Sequence, residues 1–139
     1  MPKEFWINLP VADPARSRAF FEAIGFGVDA ATSSDRMVAM RLGDKRLAVM
    51  LFPKAHFARF AGVDAADAAR SAEVMISFDA ESRAEVDALP AKVTAAGGTV
   101  FAEPAEIDGW MYGAGFADPD GHRWNILHMD PARRQGAAP

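Results

Sequence analysis

The chain lacks cysteine altogether, and none of its 139 residues can form a disulfide, a thiolate metal ligand or a cysteine nucleophile. It also lacks a surplus of basic residues, since its formal net charge is -4. No positive field is therefore expected to attract nucleic acid or an anionic membrane. Nowhere do eighteen apolar residues follow one another, and the first residues lack an apolar signal segment. These absences favour a cytoplasmic location and a small molecule or another protein chain as partner.

What the chain does contain is apolar material for a core. Half of its residues are hydrophobic, with ten phenylalanines and three tryptophans among them. A chain of this length and composition can bury one sizeable core, which predicts a single domain over residues 1–130. Residues 131–139 offer little to bury, so we expect a flexible tail there.

The first half has the pattern of a strand, a helix and three further strands. The strand has two differently used faces with a period of two, in which Phe5, Ile7, Leu9 and Val11 alternate with Trp6, Asn8 and Pro10. Asp13 and Pro14 then predict the start of a helix, whose core-facing stripe consists of Ser17, Phe20, Phe21 and Ile24. Strands are predicted over residues 26–31, 37–42 and 47–52.

The second half repeats this order. It predicts strands near residues 74–78, 99–103, 111–117 and 123–129, with a helix from about Ser82 to the glycine pair at Gly97. Ser82 and Glu85 have the spacing of a capping box. Pro90 predicts a kink or a split into two short helices, because proline removes a helical hydrogen bond. The sequence thus predicts an α+β fold with two βαβββ modules, at about residues 4–53 and 73–130.

Residues 54–72 connect the two predicted modules. They contain Phe57-Ala58-Arg59-Phe60 and the stretch from Asp64 to Arg70, and we predict that this segment forms a short helix over one end of a sheet. This segment is also a candidate contact surface for another subunit.

Two stretches carry a resemblance to a known family. Residues 118–127 (DPDGHRWNIL) join a tight turn to a buried strand, and residues 8–13 (NLPVAD) enter the first helix. Together with the helix stripe and Gly25-Phe26, they resemble vicinal oxygen chelate proteins, which include glyoxalase I, extradiol dioxygenases and bleomycin-resistance proteins. The resemblance covers nearly the whole chain. It implies two βαβββ modules that form a paired, curved mixed sheet around a shared cleft.

Members of that family that use a metal hold it with His and Glu side chains on the cleft face of four strands. Matching by spacing places Trp6, Met50, Val74 and Asn125 at the four positions, and none of them is a usual ligand for a divalent ion there. A two-residue shift keeps the same face and still supplies no His or carboxylate. Only a shift of one residue would do so, and it would invert the apolar pattern.

The three histidines and Glu103 each have a separate expected role. We expect His122 to be an exposed turn residue, His128 to be a core or interface residue, and His56 to lie in a solvated loop or to overhang the cleft. Glu103, at a predicted strand end, is a candidate base or an exposed acid. No arrangement of these residues predicts a metal centre.

The leading hypothesis is a metal-free protein that binds a small apolar or aromatic molecule, similar in principle to bleomycin-resistance proteins, and that forms a homodimer. The alternatives are a divalent-metal-dependent lyase, isomerase or dioxygenase, and an interaction module with a filled cleft. No cofactor is predicted, and whether a reaction is catalysed stays open. The predicted ligand-binding residues are Trp6, Asn8, Met50, Phe52, Val74, Trp110, Tyr112 and Asn125.

Overall fold

The computed structural model describes residues 1–134, which fall into two compact units divided between Asp67 and Ala68. The elements of the first unit are β1 (Trp6–Val11), α1 (Pro14–Ala23), β2 (Val38–Leu42), β3 (Leu47–Pro53) and α2 (Lys54–Ala61). Those of the second are β4 (Met75–Asp79), α3 (Arg83–Ala95), β5 (Thr99–Ile107), β6 (Met111–Ala117), β7 (Arg123–Met129) and α4 (Pro131–Arg134). The predicted α+β class is confirmed.

The sheet of the first unit has the order β1-β3-β2, with β1 parallel and β2 antiparallel to β3. Helix α1 begins as predicted, because the Asp13 carboxylate accepts a hydrogen bond from the Ala15 N–H and Pro14 occupies the first turn. Its predicted stripe is buried, and α1 packs against β2 and β3. The core of this unit consists of that stripe and the buried strand residues Leu9, Val11, Val49 and Leu51.

The predicted strand over residues 26–31 is wrong. Only Val28 forms an isolated bridge, to Met40. The Asp29 carboxylate accepts hydrogen bonds from the Ala31 and Thr32 N–H groups and from the Thr32 hydroxyl. These local bonds give the backbone a turn in place of a strand ladder, which is the usual competition between Asp side chains and regular structure.

The sheet of the second unit has the order β4-β7-β6-β5, in which β4 and β7 are parallel and the other pairs antiparallel. Helix α3 packs against β5, β6 and β7. Ser82 caps it as predicted, since its hydroxyl accepts from the Glu85 N–H at 3.2 Å, while Glu85 accepts from the Glu81 N–H. The core consists of Val86, Leu89 and Val93 of the helix and of Phe116, Trp124 and Ile126 of the sheet.

Two prolines occupy unusual positions. Helix α3 runs without a break through Pro90, so of the two predicted alternatives, a kink or a split, the split is wrong. Val86, Leu89 and Val93 remain buried on both sides of it, and this packing offsets the lost hydrogen bond. Strand β5 continues through Pro104 beyond its predicted end, with a register irregularity between Ala102 and Ala105. An edge strand tolerates such a proline because its outer side needs no donor.

The last part of the described chain is the short helix α4, which occupies the first four residues of the predicted tail. The rest of that predicted tail, residues 135–139, lies outside the described residues. Between residues 1 and 134, no helix is long and apolar enough to cross a membrane.

Candidate functional site

Four of the predicted site residues share one face of the first sheet. In the β1–β3 register, Asn8 lies beside Met50, and Pro10 lies beside Phe52. Trp6 has the same parity as Asn8, because successive strand residues point to opposite faces. The residues between them carry the buried core against α1. The even-numbered residues of β1 and β3 therefore form the face that α1 leaves open.

This face carries a cavity of about 440 Å³, which we call the aromatic cavity. It is lined by Trp6, Asn8 and Phe52 from the sheet and by His56, Phe57, Phe60 and Ala61 from α2. The half-buried Met50 lies on the same face but does not line the cavity. Four of the seven side chains are aromatic hydrocarbon or indole rings, and two more carry an amide and an imidazole.

Helix α2 positions the second wall of the aromatic cavity. The His56 ring stacks on Phe52 at a centroid distance of 4.7 Å, and Phe60 stacks on His56 at 5.0 Å. His56 and Phe60 stack because residues four apart lie above one another on a helix, and Phe52, near the end of β3, adds a third ring to the column. His56 is therefore a helix residue at the cavity and not a solvated loop histidine.

The aromatic cavity presents exposed rings. Trp6 is 54% exposed and Phe60 is 82% exposed, which are large values for residues of this size. Exposed apolar surface in a concave site is typical of ligand-binding or protein-binding surfaces. The Asn8 amide and the His56 imidazole add one hydrogen-bonding group each. The arrangement can hold a flat apolar molecule and orient it through a few polar contacts.

Sequence reasoning missed the contribution of α2. It predicted the helix but did not place Phe57 and Phe60 in the site. The signal was present in the spacing of Phe52, His56 and Phe60, which recur at intervals of four residues. Phe52 belongs to β3, so the three rings line up only because α2 begins directly after this strand. Periodicity alone does not predict where α2 begins.

In the second unit, Asn125 lies on the sheet face opposite α3. A cavity of about 170 Å³ on this face is lined by residues that include Asn125, Met75, Phe101 and Glu103. The Asn125 Oδ1 atom is buried, and within residues 1–134 it has no hydrogen-bond partner. Such an atom costs free energy unless a donor reaches it. Glu103 lies within β5 as an exposed side chain and is not in a loop.

Two glycines form the floor of this second cavity. A Cβ atom on Gly115 would lie 2.6 Å from the Phe101 ring, and one on Gly113 would lie 2.6 Å from the Leu127 Cδ2 atom. The ring of Phe101 can therefore lie across the sheet only because residue 115 has no side chain. The Arg123 guanidinium lies 4.8 Å from the centre of that ring, within cation–π distance.

Three predicted site residues lie elsewhere. The Tyr112 hydroxyl donates to the Asp87 carboxylate of α3 at 2.5 Å, and this hydrogen bond raises the pKa of Tyr112. Tyr112 therefore belongs to the helix face of the sheet. Val74 lies before β4, and its neighbour Met75 lines the second cavity instead. The residue predicted to face the cavity was therefore one position too early in the sequence. Trp110 lies in the turn before β6, where its carbonyl accepts from the Asp130 N–H, and it does not line either cavity.

The remaining histidines have structural roles. His122 is 9% exposed, so the prediction of an exposed turn residue is wrong. Its backbone N–H donates to the Asp118 carboxylate, and its carbonyl accepts from the Asp118 N–H. The His128 ring forms a hydrogen bond through Nδ1 with the Ala80 carbonyl at 3.0 Å. Both therefore secure the ends of β7.

The donor set does not fit a divalent metal of the kind that the resemblance implies. Across residues 1–134, no three His, Asp or Glu side chains are grouped so that they could hold a metal ion. The aromatic cavity contains one titratable side chain, His56, and the second cavity contains one, Glu103. A stable site for such an ion requires three or more oxygen or nitrogen ligands from the protein.

Comparison with known proteins gives a consistent family. The family model described as Glyoxalase/Bleomycin resistance protein/Dioxygenase superfamily matches residues 5–126. A hypothetical protein from S. aureus has a solved structure that is 37% identical, with a TM-score of 0.82 and coverage of 92% of this chain and 95% of that one. A search of curated proteins found no match.

Two further solved structures show the same fold at lower identity. A glyoxalase-related enzyme from Fulvimarina pelagi is 19% identical, with a TM-score of 0.78 over 92% of this chain and 88% of that one. A lactoylglutathione lyase from Agrobacterium tumefaciens is 19% identical, with a TM-score of 0.66 over 91% and 94%. At this identity the likeness extends to the fold alone.

Proposed function

The chain belongs to the glyoxalase/bleomycin resistance protein/dioxygenase superfamily, and on that premise we propose that it binds a small apolar or aromatic molecule in the aromatic cavity. The observation that carries the proposal is the cavity itself, whose walls are aromatic rings with only an amide and an imidazole for polar contact. A volume of about 440 Å³ lies within the range of small-molecule sites.

The chemistry of the walls supports an aromatic ligand. Aromatic rings attract other rings in stacked or edge-on arrangements, each worth about 0.5–1.5 kcal/mol beyond the buried area. The column of Phe52, His56 and Phe60 offers one such surface, and the Trp6 indole offers another. The Asn8 amide can donate to and accept from a polar substituent. This open volume favours binding over the alternative in which side chains fill the site.

The test uses a neutral fluorescent probe, N-phenyl-1-naphthylamine, and two matched variants. Phe60 lines the aromatic cavity, whereas Val63 is an exposed apolar residue of the same unit that does not line it. Removing the Phe60 ring deletes about 0.5–1.5 kcal/mol of ring contact, which is roughly a two- to tenfold loss of affinity. Phe60→Ala is therefore expected to weaken binding of the probe by that factor, and Val63→Ala is expected to leave it unchanged. Equal affinity in the two variants would contradict the proposal.

Chemistry through a bound metal is the competing account. The matched positions Trp6, Met50 and Asn125 hold an indole, a thioether and an amide, which suit a divalent ion poorly. Elemental analysis of the purified protein separates the two accounts. Metal well below one ion per chain, with probe binding unchanged by a chelator, supports the proposal, whereas one tightly bound divalent ion per chain would overturn it.

A homodimer is the second part of the proposal. Large apolar side chains lie exposed on the second unit, among them Met75, Phe101 and Met129. Exposed apolar side chains on one sheet are typical of protein–protein interfaces, and a twofold pairing would cover them. Sedimentation equilibrium at micromolar concentration should give about twice the chain mass, and a monomeric mass would contradict this part.

A further inference from the structure

A third cavity lies beside the aromatic cavity in the first unit. Its volume is about 700 Å³, and it is lined by the N-terminal residues before β1, by Asp29 and Arg41, and by the hairpin that joins β2 to β3. Trp6 lines both this cavity and the aromatic cavity. We call the third cavity the basic cavity because of the charged side chains that line it.

The basic cavity has a surplus of positive charge in an acidic protein. Four cationic and two acidic side chains line it, which leaves an excess of two positive charges; they are Lys3, Arg41, Lys45 and Arg46 with Glu4 and Asp29. The surplus is local, because the chain as a whole has a net charge of -4. An anion that reaches this surface meets a field opposite to that of the rest of the molecule.

The cations of the basic cavity are only partly neutralised. Arg41 donates through Nε to the Asp29 carboxylate at 3.5 Å. A hydrogen bond from the Thr32 hydroxyl, aided by Arg41, lowers the pKa of Asp29, so this acid stays ionised and fixes the guanidinium. Among residues 1–134, Lys45 and Arg46 form no ion pair. A guanidinium and an ammonium group are thus available to a ligand.

The position of Arg46 adds a second, independent observation. Its φ angle is 55°, in the left-handed region that non-glycine residues seldom occupy. Gly43 in the same turn has a φ of 72°, so the turn already uses a glycine where its backbone requires one. An arginine at a position that glycine or asparagine would occupy with less strain is the kind of exception found at binding sites.

We infer that the ligand of the aromatic cavity is an aromatic anion, whose ring system lies against Trp6 and whose carboxylate, sulfonate or phosphate group lies in the basic cavity beside Lys45 and Arg46. The inference rests on the proposed function, since it requires the aromatic cavity to bind the ring. Because Trp6 lines both cavities, a ring system that lies against Trp6 has the charged side chains of the basic cavity beside it. Arg41, fixed by Asp29, orients the anionic group.

The expected effect follows from exposed charges in water. Each exposed ion pair is worth about 0.2–1 kcal/mol, which is roughly a 1.5- to fivefold change in affinity. Two cations together should therefore improve the binding of an anion by roughly two- to 25-fold. Salt screens this gain, because the Debye length falls from about 30 Å at 0.01 M to about 10 Å at 0.1 M.

The experiment compares two probes that share one ring system. The dye 8-anilino-1-naphthalenesulfonate carries a sulfonate, and N-phenyl-1-naphthylamine is its neutral counterpart. The measured quantity is the dissociation constant of the neutral dye divided by that of the sulfonate dye, in the unmodified chain, in Lys45→Gln/Arg46→Gln, and in the control Arg36→Gln. Arg36 lies in the same unit but does not line either cavity.

We expect the sulfonate to improve affinity several-fold in the unmodified chain and in Arg36→Gln, and the ratio to approach one in the double variant. In the unmodified chain the ratio should also fall as sodium chloride is raised from about 20 to about 500 mM, a measurement that needs no variant to fold. If the ratio changes neither with salt nor with the double substitution, while Phe60→Ala still weakens the binding of both dyes, the inference is wrong and the proposed function stands. Binding of neither dye would overturn the proposed function as well.

Discussion

Asp118 shows how one buried side chain organises the last hairpin. It is 4% exposed, and its carboxylate accepts hydrogen bonds from the Asp120 and His122 N–H groups at 3.0 Å and from the Trp124 indole at 3.2 Å. The first two bonds close the turn, and the third connects it to the core. The turn and the buried tryptophan of β7 therefore depend on a single carboxylate.

Asp118→Asn is expected to destabilise the chain. Asparagine keeps one acceptor oxygen for the two turn N–H groups but presents an N–H₂ group to the Trp124 indole N–H. Two donors then face each other in a buried site, at a cost of about 1–3 kcal/mol. Urea unfolding at neutral pH measures this loss. An unchanged midpoint would show that the bond to Trp124 contributes nothing.

The pH dependence of this difference has a definite sign. Burial raises the pKa of Asp118 above its unfolded value of about 3.9, although the His122 charge and the bond from Trp124 oppose the shift. A raised pKa means that the carboxyl favours folding most below about pH 3.9 and less as pH rises through the folded value. The stability advantage of the unmodified chain over Asp118→Asn should therefore be largest near pH 4 and narrower at pH 7. A gap that widens with pH would contradict the assigned direction.

At the scale of elements, most boundaries could be predicted from the sequence. The strands β6 and β7 and the start of α1 are where the alternation and the Asp13-Pro14 pair place them. The errors occur where local hydrogen bonds or packing decide the outcome. Hydrogen bonds to the Asp29 carboxylate form a turn where the second strand was predicted. Buried contacts of α3 keep the helix continuous at Pro90.

The candidate site was predicted better in the first unit than in the second. Trp6, Asn8 and Phe52 follow directly from period two once β1 and β3 are aligned. Tyr112 was misplaced because its ring reaches Asp87 and Arg83 on the helix face, and a lone tyrosine at a strand start carries no parity signal. The positions of the Phe57 and Phe60 rings depend on the direction in which α2 continues from β3. The backbone at the junction sets that direction, and periodicity does not predict it.

The turn between β6 and β7 makes a prediction at the same scale. A Cβ atom on Gly121 would lie 2.5 Å from the Ala69 Cα atom, and its φ is 92°. Gly43 is a matched control, because its φ is also positive, at 72°, but nothing lies within 4 Å. Gly43→Ala should cost only the backbone strain, about 1–2 kcal/mol. Gly121→Ala must also displace the Ala68–Ala69 backbone and should therefore cost more, as thermal unfolding would show. Equal costs would mean that the contact is loose.

At the scale of the whole molecule, fold and chemistry are separable. The family model extends from residue 5 to residue 126, and a relative from S. aureus is 37% identical over most of both chains. Yet the positions matched to metal ligands hold Trp6, Met50 and Asn125. The same fold can support different functions because function depends on particular side chains at the site. Of these three residues, only Trp6 lines the aromatic cavity, where we propose that an aromatic molecule binds.

The three indoles of Trp6, Trp110 and Trp124 provide the most direct test of that claim. Each gives one Nε1–H signal in a nitrogen–proton NMR spectrum, and only Trp6 lines the aromatic cavity. Titration with N-phenyl-1-naphthylamine should shift the Trp6 signal saturably and leave the core residue Trp124 and the turn residue Trp110 in place. If the probe binds while the Trp6 signal stays fixed, the aromatic cavity is not the binding site.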